Sequence, residues 1–273
     1  MIAGYPLETY EQRIRRKLDD LICRVFGAPF GRPIAPPFGP RVSTASVAWY
    51  ELLTNGLAAF QPIGAASYAA SKVNLLDPGT NDAADGAAYP TWDASYGWAL
   101  AAASLQYLTV GSGALVTEVP LTIAVLFQAN DVTTTYALGT IRRTSTSNDG
   151  WMLNVAGSIA GDPVRGVSVQ NGLPLAQVDT TSGYSASTWH TAIAVFASST
   201  SRSVYLDGAN KGTNTTSNTP STSVDATMIG VNHNGTVYGA YLDGKVGAIG
   251  FAGATHSDAE ALAIHNSLIA LVL

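Results

Sequence analysis

The sequence is poor in charge and in cysteine. Charged residues make up 12% of the 273 residues, about half of the roughly 25% found in ordinary soluble domains, whereas the hydrophobic fraction is a normal 47%. Cys23 is the only cysteine, which excludes an intramolecular disulfide and a cysteine-based zinc site. No apolar run approaches the ~20 residues of a membrane-spanning helix, and the first residues lack the basic-then-apolar layout of a secretory signal. We therefore expect neither a membrane span nor a leader.

The catalytic motifs of several enzyme classes are also missing. The sequence contains no G-x-S-x-G elbow, H-E-x-x-H, P-loop or G-x-G-x-x-G, so acyl transfer, zinc proteolysis and nucleotide chemistry have no support. Residues 1–41 hold seven basic and four acidic residues, whereas residues 42–273 hold seven basic and 15 acidic residues. The acidic main part argues against nucleic-acid binding, and the asymmetry indicates two parts with different neighbours.

We interpret the N-terminal part, residues 1–41, as an anchor. Thr9 and Gln12 match a capping box, and the apolar residues that follow recur at helical spacing, which predicts an amphipathic helix over about residues 8–26. Residues 27–41 contain five prolines and predict an extended arm. We expect residues 1–41 to dock on a partner through an apolar stripe and flanking basic residues, namely Ile14, Leu18, Leu21, Ile22 and Val25 with Arg13, Arg16 and Lys17.

The remainder predicts a connecting region at 42–90 and a β-rich domain at 91–273. In the connecting region, Ser46 to Phe60 favours a short helix that the Asn55-Gly56 pair interrupts. In the β-rich domain, short alternating apolar runs are separated by turn residues, as in sandwiches and barrels. A second capping box, Ser257 with Glu260, predicts a closing helix. The predicted strands are Leu105–Val110, Leu121–Phe127, Trp151–Val155, Gly166–Val169, Thr191–Phe196, Ser203–Leu206, Thr227–Val231 and Lys245–Phe251.

Five ordered segments carry a family resemblance. They are Trp189–Val195, Ser203–Gly208 with the following Lys211-Gly212, Ile229–Gly230, Tyr241–Ile249 and Thr255–Glu260. Their order and spacing resemble the laminin-G-like, concanavalin A-like domains over roughly residues 92–268. The resemblance implies a mainly β fold, an antiparallel jelly-roll sandwich, to which the N-terminal helix and proline-rich arm are added. We expect Trp189 in the sandwich interior and close backbone approaches at Gly230 and Gly250.

Glycoside hydrolases share the fold that the resemblance implies, so paired carboxylates are the first test of catalysis. Retaining enzymes need two carboxyl groups about 5–5.5 Å apart, and inverting enzymes need roughly 6.5–9.5 Å. The E-x-D-x-x-E string of laminarinase-like relatives is absent, and Glu118 and Glu260 are the only glutamates in the predicted sandwich. A hydrolase would need an atypical pair of loop aspartates, so we expect no enzyme.

Loop residues of the predicted sandwich suggest binding sites. Relatives of this type often hold calcium at the sandwich rim, and calcium prefers oxygen ligands; the candidates here are Asn130, Asp131 and Asp149. Candidates for sugar binding combine aromatic rings with amides and a carboxylate, and they are Asn148, Asp149, Trp151, Asn232, Asn234 and Tyr238. The alternative interpretation is ordinary turn chemistry for the polar residues and core packing for the aromatic residues. The four scattered histidines predict structural roles.

Low charge, an anchor and a lectin-like sandwich together resemble the plan of bacteriophage decoration, fibre and spike proteins. The first hypothesis is a non-catalytic virion protein, present in many copies, that contacts other virion subunits through residues 1–41 and displays the sandwich toward a host glycan. The second is a free carbohydrate-binding module or adhesin at the extracellular surface, for which calcium is a candidate ligand. The third is an atypical glycoside hydrolase.

Overall fold

The fold consists of two large antiparallel β-sheets that face each other. The computed structural model describes residues 47–145 and 148–273, which form one compact unit. The predicted N-terminal helix, the proline-rich arm and the docking residues lie outside the described residues. Between residues 47 and 273 the prediction of a mainly β, concanavalin A-like sandwich is confirmed.

The first sheet has eight strands and the second has seven. The first runs in the order β13-β12-β11-β6-β17-β4-β3, with β1 also paired to β17, and the second in the order β10-β9-β8-β7-β14-β5-β2. The strands of the first sheet are β1 Gly56–Phe60, β3 Thr91–Asp93, β4 Gly97–Leu100, β6 Leu121–Ala129, β11 His190–Ser198, β12 Ser201–Leu206, β13 Ala209–Asn214 and β17 Gly244–Ala252. Those of the second are β2 Ala83–Asp85, β5 Leu108–Val110, β7 Thr135–Arg142, β8 Gly150–Ala156, β9 Pro163–Val169, β10 Ala176–Gly183 and β14 Ala226–Ile229.

The main core lies between the two sheets. Along β6, Ile123, Val125 and Phe127 point into this core, whereas Ala124 and Leu126 point to the opposite side of the strand. This strand is therefore buried on both faces, which explains why its sequence is a continuous apolar run rather than an alternating one. Trp98 and Trp151 are the largest side chains buried between the sheets.

Helical segments cover the outer face of the eight-stranded sheet. A 3-10 turn at Trp49–Leu52 and helix α2 at Asp258–Ile269 form this cover, whereas helix α1, a single turn at Tyr68–Ser71, packs against the main core through Tyr68. At α2 the Ser257 hydroxyl accepts the Glu260 N–H, and the Glu260 carboxylate accepts the Ser257 N–H at 2.7 Å, so the predicted capping box is confirmed. Trp49 lies close to Gly250, where a Cβ would approach its ring to 2.9 Å. The expected close approach at Gly250 is therefore confirmed.

Residues 230–243 cover part of the outer face of the seven-stranded sheet. They begin at Gly230, where φ is positive (76°) and a Cβ would approach the Leu100 side chain to 2.3 Å, so the expected close approach is confirmed. A short hairpin of β15 Asn232–His233 and β16 Tyr238–Gly239 lies in this segment. The Ala240 carbonyl accepts the Ala137 N–H at 2.8 Å, which fixes the segment against β7.

Several local predictions need correction. The stretch from Ser46 to Phe60 is not one helix: after the short 3-10 turn, Asn55 adopts a positive φ and β1 begins at Gly56. Because β1 and β2 belong to the two sheets, the sandwich extends into the region that was predicted as a connection before residue 91. The predicted strand at Leu105 begins only at Leu108, since Leu105 itself is left-handed.

Trp189 is also placed differently from the prediction. It is half-buried and packs on the cluster outside the eight-stranded sheet, near Gly247, rather than between the sheets. It lies one residue before His190, whose ring packs on Phe127 in the main core at 5.9 Å between centroids. Successive side chains alternate across a strand, so the neighbour of an inward residue points outward.

Candidate functional site

Three tyrosines form an aromatic cluster on the hairpin side of the seven-stranded sheet. The ring of Tyr238 stacks on Tyr107 with centroids 5.1 Å apart, and Tyr241 meets Tyr107 edge-on at 6.1 Å. Tyr107 is buried with Met228 beneath it, whereas Tyr238 is 41% exposed. Burial, and then the neighbouring Tyr107 hydroxyl, raises the pKa of Tyr238 to about 12, so its phenol stays neutral near pH 7. We call Tyr107, Tyr238 and Tyr241 the tyrosine cluster.

The amides that were predicted beside Tyr238 have different roles. The Asn234 side-chain oxygen accepts the Thr236 and Val237 N–H groups at 3.1 and 3.0 Å, so it closes the hairpin turn. Asn232 pairs with Gly239 in the hairpin, whereas the next residue, His233, pairs with Tyr238 and contacts its ring. Because side chains alternate along a strand, Asn232 lies on the opposite side of the hairpin from that contact. The structure thus keeps Tyr238 as an exposed aromatic and assigns Asn234 to turn chemistry.

A buried arginine connects this hairpin to the loop that precedes β8. The Arg142 Nε donates to the His233 carbonyl at 2.8 Å, and its Nη2 donates to the Asn148 side-chain oxygen. Burial lowers the pKa of Arg142 to about 10, while the nearby Asp149 carboxylate opposes that change, so the guanidinium is charged at neutral pH. Asn148 is thereby brought next to the hairpin, but its oxygen is already engaged.

Asp149 and Trp151 are buried rather than exposed on a loop. The Asp149 carboxylate accepts the Asn171 and Ser221 N–H groups at 3.1 and 3.2 Å, so it holds two loops together. Trp151 is only 1% exposed and packs in the main core. The prediction that the Trp151 ring stacks on a sugar from a loop is wrong, because the ring is a core residue at the start of β8.

The structure does not bring the residues predicted to bind calcium together. Asp131 lies before β7 and Asp149 lies after it, so the eight-residue strand separates them by about 23 Å. One Asp131 oxygen accepts the Thr133 and Thr134 N–H groups, and the other accepts the Tyr136 hydroxyl. Burial opposes ionisation, but these hydrogen bonds hold the pKa of Asp131 below its ordinary value.

Asn130 does not complete a metal site either. Its side-chain nitrogen donates to the Asp243 carboxylate at 3.2 Å, and its backbone N–H donates to the Asp243 carbonyl at 2.9 Å. Across the residues that the structure describes, no group of three histidine, cysteine, aspartate or glutamate side chains could hold a metal ion. The arrangement around Asn130 and Asp131 therefore fits turn chemistry better than calcium coordination.

A hydrogen-bonded Ser-His-Asp chain was not expected from the sequence. The His190 Nδ1 lies 2.8 Å from the Asp207 carboxylate, and its Nε2 lies 3.0 Å from the Ser185 hydroxyl. The same Nε2 also accepts the Ser185 N–H at 3.1 Å, so Nδ1 carries the ring proton. Burial opposes ionisation of Asp207, but the hydrogen bond from His190 holds the pKa of Asp207 below its ordinary value.

This connectivity matches that of a catalytic triad, but the other hydrogen bonds of the same residues indicate a structural role. In a triad the nitrogen lone pair must be available to the serine hydroxyl, whereas here it already binds the backbone N–H of the same serine. The second Asp207 oxygen accepts the Thr191 N–H at 2.9 Å and so fixes the β12–β13 turn. We interpret His190 as the link between that turn and the loop before β11.

Two facing antiparallel sheets with short connections define a jelly-roll sandwich of the lectin type. The chain belongs to the concanavalin A-like lectin/glucanases superfamily, because the laminin G-type profile of that superfamily matches residues 103–260. The family resemblance seen in the sequence is thereby confirmed. No curated protein sequence matches the chain significantly.

Solved structures agree with this fold. Domain 4 of AbnA, a GH43 extracellular arabinanase from Geobacillus stearothermophilus solved with arabinotriose, has a TM-score of 0.53 at 13% identity, over 78% of this chain and 99% of that one. The CBM40 of the Ruminococcus gnavus IT-sialidase, solved with alpha2,3 sialyllactose, has a TM-score of 0.47 at 14% identity, over 54% of this chain and 82% of that one. At these identities the similarity concerns the fold alone.

Within the described residues, no helix has the length and apolar character needed to span a membrane.

Proposed function

We propose that this sandwich is a non-catalytic carbohydrate-binding module and that it contacts sugar at the tyrosine cluster. The observation that carries the proposal is Tyr238, a partly exposed ring whose position is fixed by stacking on the buried Tyr107. A fixed aromatic ring offers an apolar face to the C–H side of a sugar and a neutral hydroxyl to its hydroxyl groups. Because the ring is already ordered, binding loses little side-chain entropy.

Membership in a superfamily named for lectins and glucanases leaves two functions to compare. The acidic residues favour binding over hydrolysis, because Glu260 is engaged in the α2 capping box. Glu118 is exposed just before β6, and the sequence has no E-x-D-x-x-E strand. The arabinotriose-bound domain 4 of AbnA fits a glycan-binding role for the fold, without defining the sugar.

The virion role remains a prediction from the sequence. It depends on residues 1–41, which lie outside the described residues, and on the resemblance of the whole plan to phage proteins. Display of the sandwich at an extracellular surface, on a particle or free, is compatible with glycan binding. Deleting residues 1–41 should abolish incorporation into particles, and unaffected incorporation would contradict the anchor.

Glycan binding by the full chain tests the proposed function. The chain is applied to an array of neutral and acidic oligosaccharides, and the affinity for the best glycan is measured by calorimetry. Tyr238→Ala should lower the affinity at least about tenfold, or about 1.4 kcal/mol, since it removes the exposed ring. Tyr89→Ala is the matched control, because Tyr89 is 66% exposed and lies outside the tyrosine cluster. An equal loss in both variants, or no binding to any glycan, would contradict the proposal.

A further inference from the structure

Asparagine followed directly by glycine occurs three times in the chain, and one of these pairs has distinctive neighbours. The pairs are Asn55-Gly56, Asn171-Gly172 and Asn234-Gly235. In such a pair the backbone nitrogen of the glycine can attack the side-chain carbonyl carbon of the asparagine, because a residue without a Cβ leaves room for the approach. The attack closes a five-membered imide ring and releases ammonia. Its rate in a folded chain depends on how the carbonyl and the nitrogen are held.

The side-chain carbonyl of Asn234 is held by three donors. Its oxygen accepts the Thr236 N–H at 3.1 Å, the Thr236 hydroxyl at 2.8 Å and the Val237 N–H at 3.0 Å. Since these donors lie two and three residues further along the chain, the side chain is folded back toward the peptide nitrogen of Gly235. Donors that are fixed around a carbonyl oxygen stabilise the negative charge that develops there when a nucleophile adds to the carbon.

The nitrogen that would attack is in contact with a base. The Gly235 N–H donates to the Nδ1 atom of His233 at 3.0 Å, and Gly235 has a positive φ of 90°. This hydrogen bond requires a lone pair on Nδ1, so the proton of the ring is on Nε2. The distance lies within the reach of about 2.6–3.2 Å that a general base needs to take a proton. His233 is therefore placed to accept the Gly235 amide proton.

His233 is fixed in position and neutral. The residue is only 5% exposed, its carbonyl accepts from the Arg142 Nε at 2.8 Å, and its ring meets the Tyr238 ring edge-on with centroids 4.6 Å apart. Burial lowers the pKa of His233, and the Arg142 charge acts in the same direction. A backbone hydrogen bond with Arg143 and the Asp225 carboxylate oppose this change without reversing it. The imidazole is therefore in its basic form at neutral pH.

From the three carbonyl donors and the adjoining imidazole, we infer that Asn234 is a self-modification site, which converts to aspartate or isoaspartate in the folded protein. The Gly235 nitrogen forms a bond to the Asn234 Cγ while its proton passes to His233 Nδ1. The bond between Cγ and the amide nitrogen then breaks, and His233 returns the proton to that nitrogen, which leaves as ammonia. Water opens the imide at either of its two carbonyls. The net change consumes one water and releases one ammonia, without oxidation or reduction.

The products would change the hairpin that carries Tyr238. Asn234 is exposed, so water reaches the imide and ammonia can leave. Aspartate adds a negative charge at the turn, whereas isoaspartate adds a methylene to the backbone and cannot keep the same hydrogen bonds at residues 234–237. The modification is read from the mass of the chain and not from glycan binding, so its failure and that of the proposed function are distinguishable.

The other two pairs serve as internal controls in the test. The full chain is incubated at neutral pH in ¹⁸O-labelled water and digested, and the label at each pair is followed by mass spectrometry. Asn234 should convert at least about tenfold faster in the folded chain than in guanidinium chloride, since unfolding removes its donors and its base. The exposed Asn171 should not be accelerated by folding. Asn55, whose side-chain nitrogen donates to the Gly253 carbonyl at 3.0 Å, should be slowed by folding.

Variants separate the base from the turn. His233→Asn keeps an oxygen near the position of Nδ1 that accepts the same N–H but is not basic, so conversion at Asn234 should slow at least about tenfold while Asn171 is unchanged. Thr236→Val removes one donor to the carbonyl and should slow conversion by a smaller factor. Hydrogen exchange at residues 232–239 shows that each variant keeps the hairpin. The inference is overturned if folding slows conversion at Asn234, or if either variant converts as fast as the unmodified chain.

Discussion

The outer faces of the two sheets differ in chemistry. On the eight-stranded sheet, Leu126, Ile193 and Val195 are apolar and are covered by Ile264 of helix α2 and by Trp49. On the seven-stranded sheet, Thr140, Arg142 and Asn154 occupy the corresponding outward positions and are buried as polar groups. The first face is closed by hydrophobic packing, whereas the second is closed by a loop held through hydrogen bonds.

This difference suggests how stability and binding are divided. Removing apolar side chains from water makes a large favourable contribution to folding, so the helix-covered face is suited to stabilising the sandwich. A buried guanidinium such as Arg142 is costly unless its hydrogen bonds are made, but it fixes the position of what it contacts. Arg142 contacts the hairpin that carries Tyr238, so the polar face is suited to presenting a binding surface.

The largest effect is expected from Ile264→Ala on the helix-covered face. Ile264 is fully buried, and truncating a buried isoleucine costs about 2–5 kcal/mol through lost burial and the cavity left behind. Urea unfolding of the full chain measures the change. The matched control is Leu262→Ala on the exposed side of the same helix, where we expect a change within about 0.5 kcal/mol. Equal losses in both variants would mean that α2 does not close this face.

A smaller effect is expected from Arg142→Met on the polar face. The substitution keeps an apolar stem but leaves the His233 carbonyl and the Asn148 oxygen without their donor, at a cost of about 1–3 kcal/mol. It should also loosen the hairpin, which faster hydrogen exchange at residues 232–239 would show. Lys211→Met, which removes a largely exposed ion pair with Asp258, should cost at most about 1 kcal/mol and leave the hairpin unchanged. If hydrogen exchange at residues 232–239 is unchanged in Arg142→Met, Arg142 does not hold the hairpin that carries Tyr238.

The parts of the fold that depend on local chemistry are readable from the sequence. The α2 capping box needs only Ser257 and Glu260 three residues apart, and the Asp207-Gly208 turn needs only residues that tolerate positive φ. Gly208 is further required because a Cβ there would approach the His265 ring to 2.7 Å. Such elements are determined by neighbours in the chain, which the sequence displays.

The parts that depend on strand register are not readable in this way. A shift of one residue moves a side chain to the other face, so the sequence does not distinguish Trp189, which lies outside the sheet, from Trp151, which lies between the sheets. The tyrosine cluster joins Tyr107 from the start of β5 to two residues near the C-terminal strand. No spacing rule connects positions that far apart, and only Tyr238 was singled out beforehand.

The next smaller effect is a pH-dependent loss of stability, and we expect it from His256, which lies just before helix α2. The His256 Nε2 accepts the Thr54 N–H at 3.1 Å, and its Nδ1 lies 3.0 Å from the Thr122 hydroxyl, which itself donates to the Ala254 carbonyl. The neutral ring satisfies both contacts, and burial lowers the pKa of His256 below its ordinary value near 6.5. The contribution is therefore complete above about pH 6.5 and is lost as the pH falls toward the lowered pKa.

Thermal unfolding between pH 8 and pH 5 measures this loss. The Tm should fall as the pH drops below about 6.5, and His256→Gln should show a smaller fall, since glutamine does not titrate. Burial lowers the pKa of His233 and of His265 as well, so part of the dependence should survive in that variant. An identical pH dependence in His256→Gln would exclude His256 as a contributor.

The smallest effect is expected from the exposed start of α2, where Ser257→Ala removes one half of the capping box. Loss of an N-cap serine costs about 1 kcal/mol, whereas Ser257→Gly should cost only a few tenths of that, because glycine leaves the first N–H groups open to water. Glu260→Ala breaks the other half, and the double variant should cost less than the two single changes together, since each partner depends on the other. Additive losses in urea unfolding would show that the two bonds act independently. In every case the Tyr238-dependent glycan affinity should be unchanged, because the start of α2 lies on the opposite outer face from the tyrosine cluster.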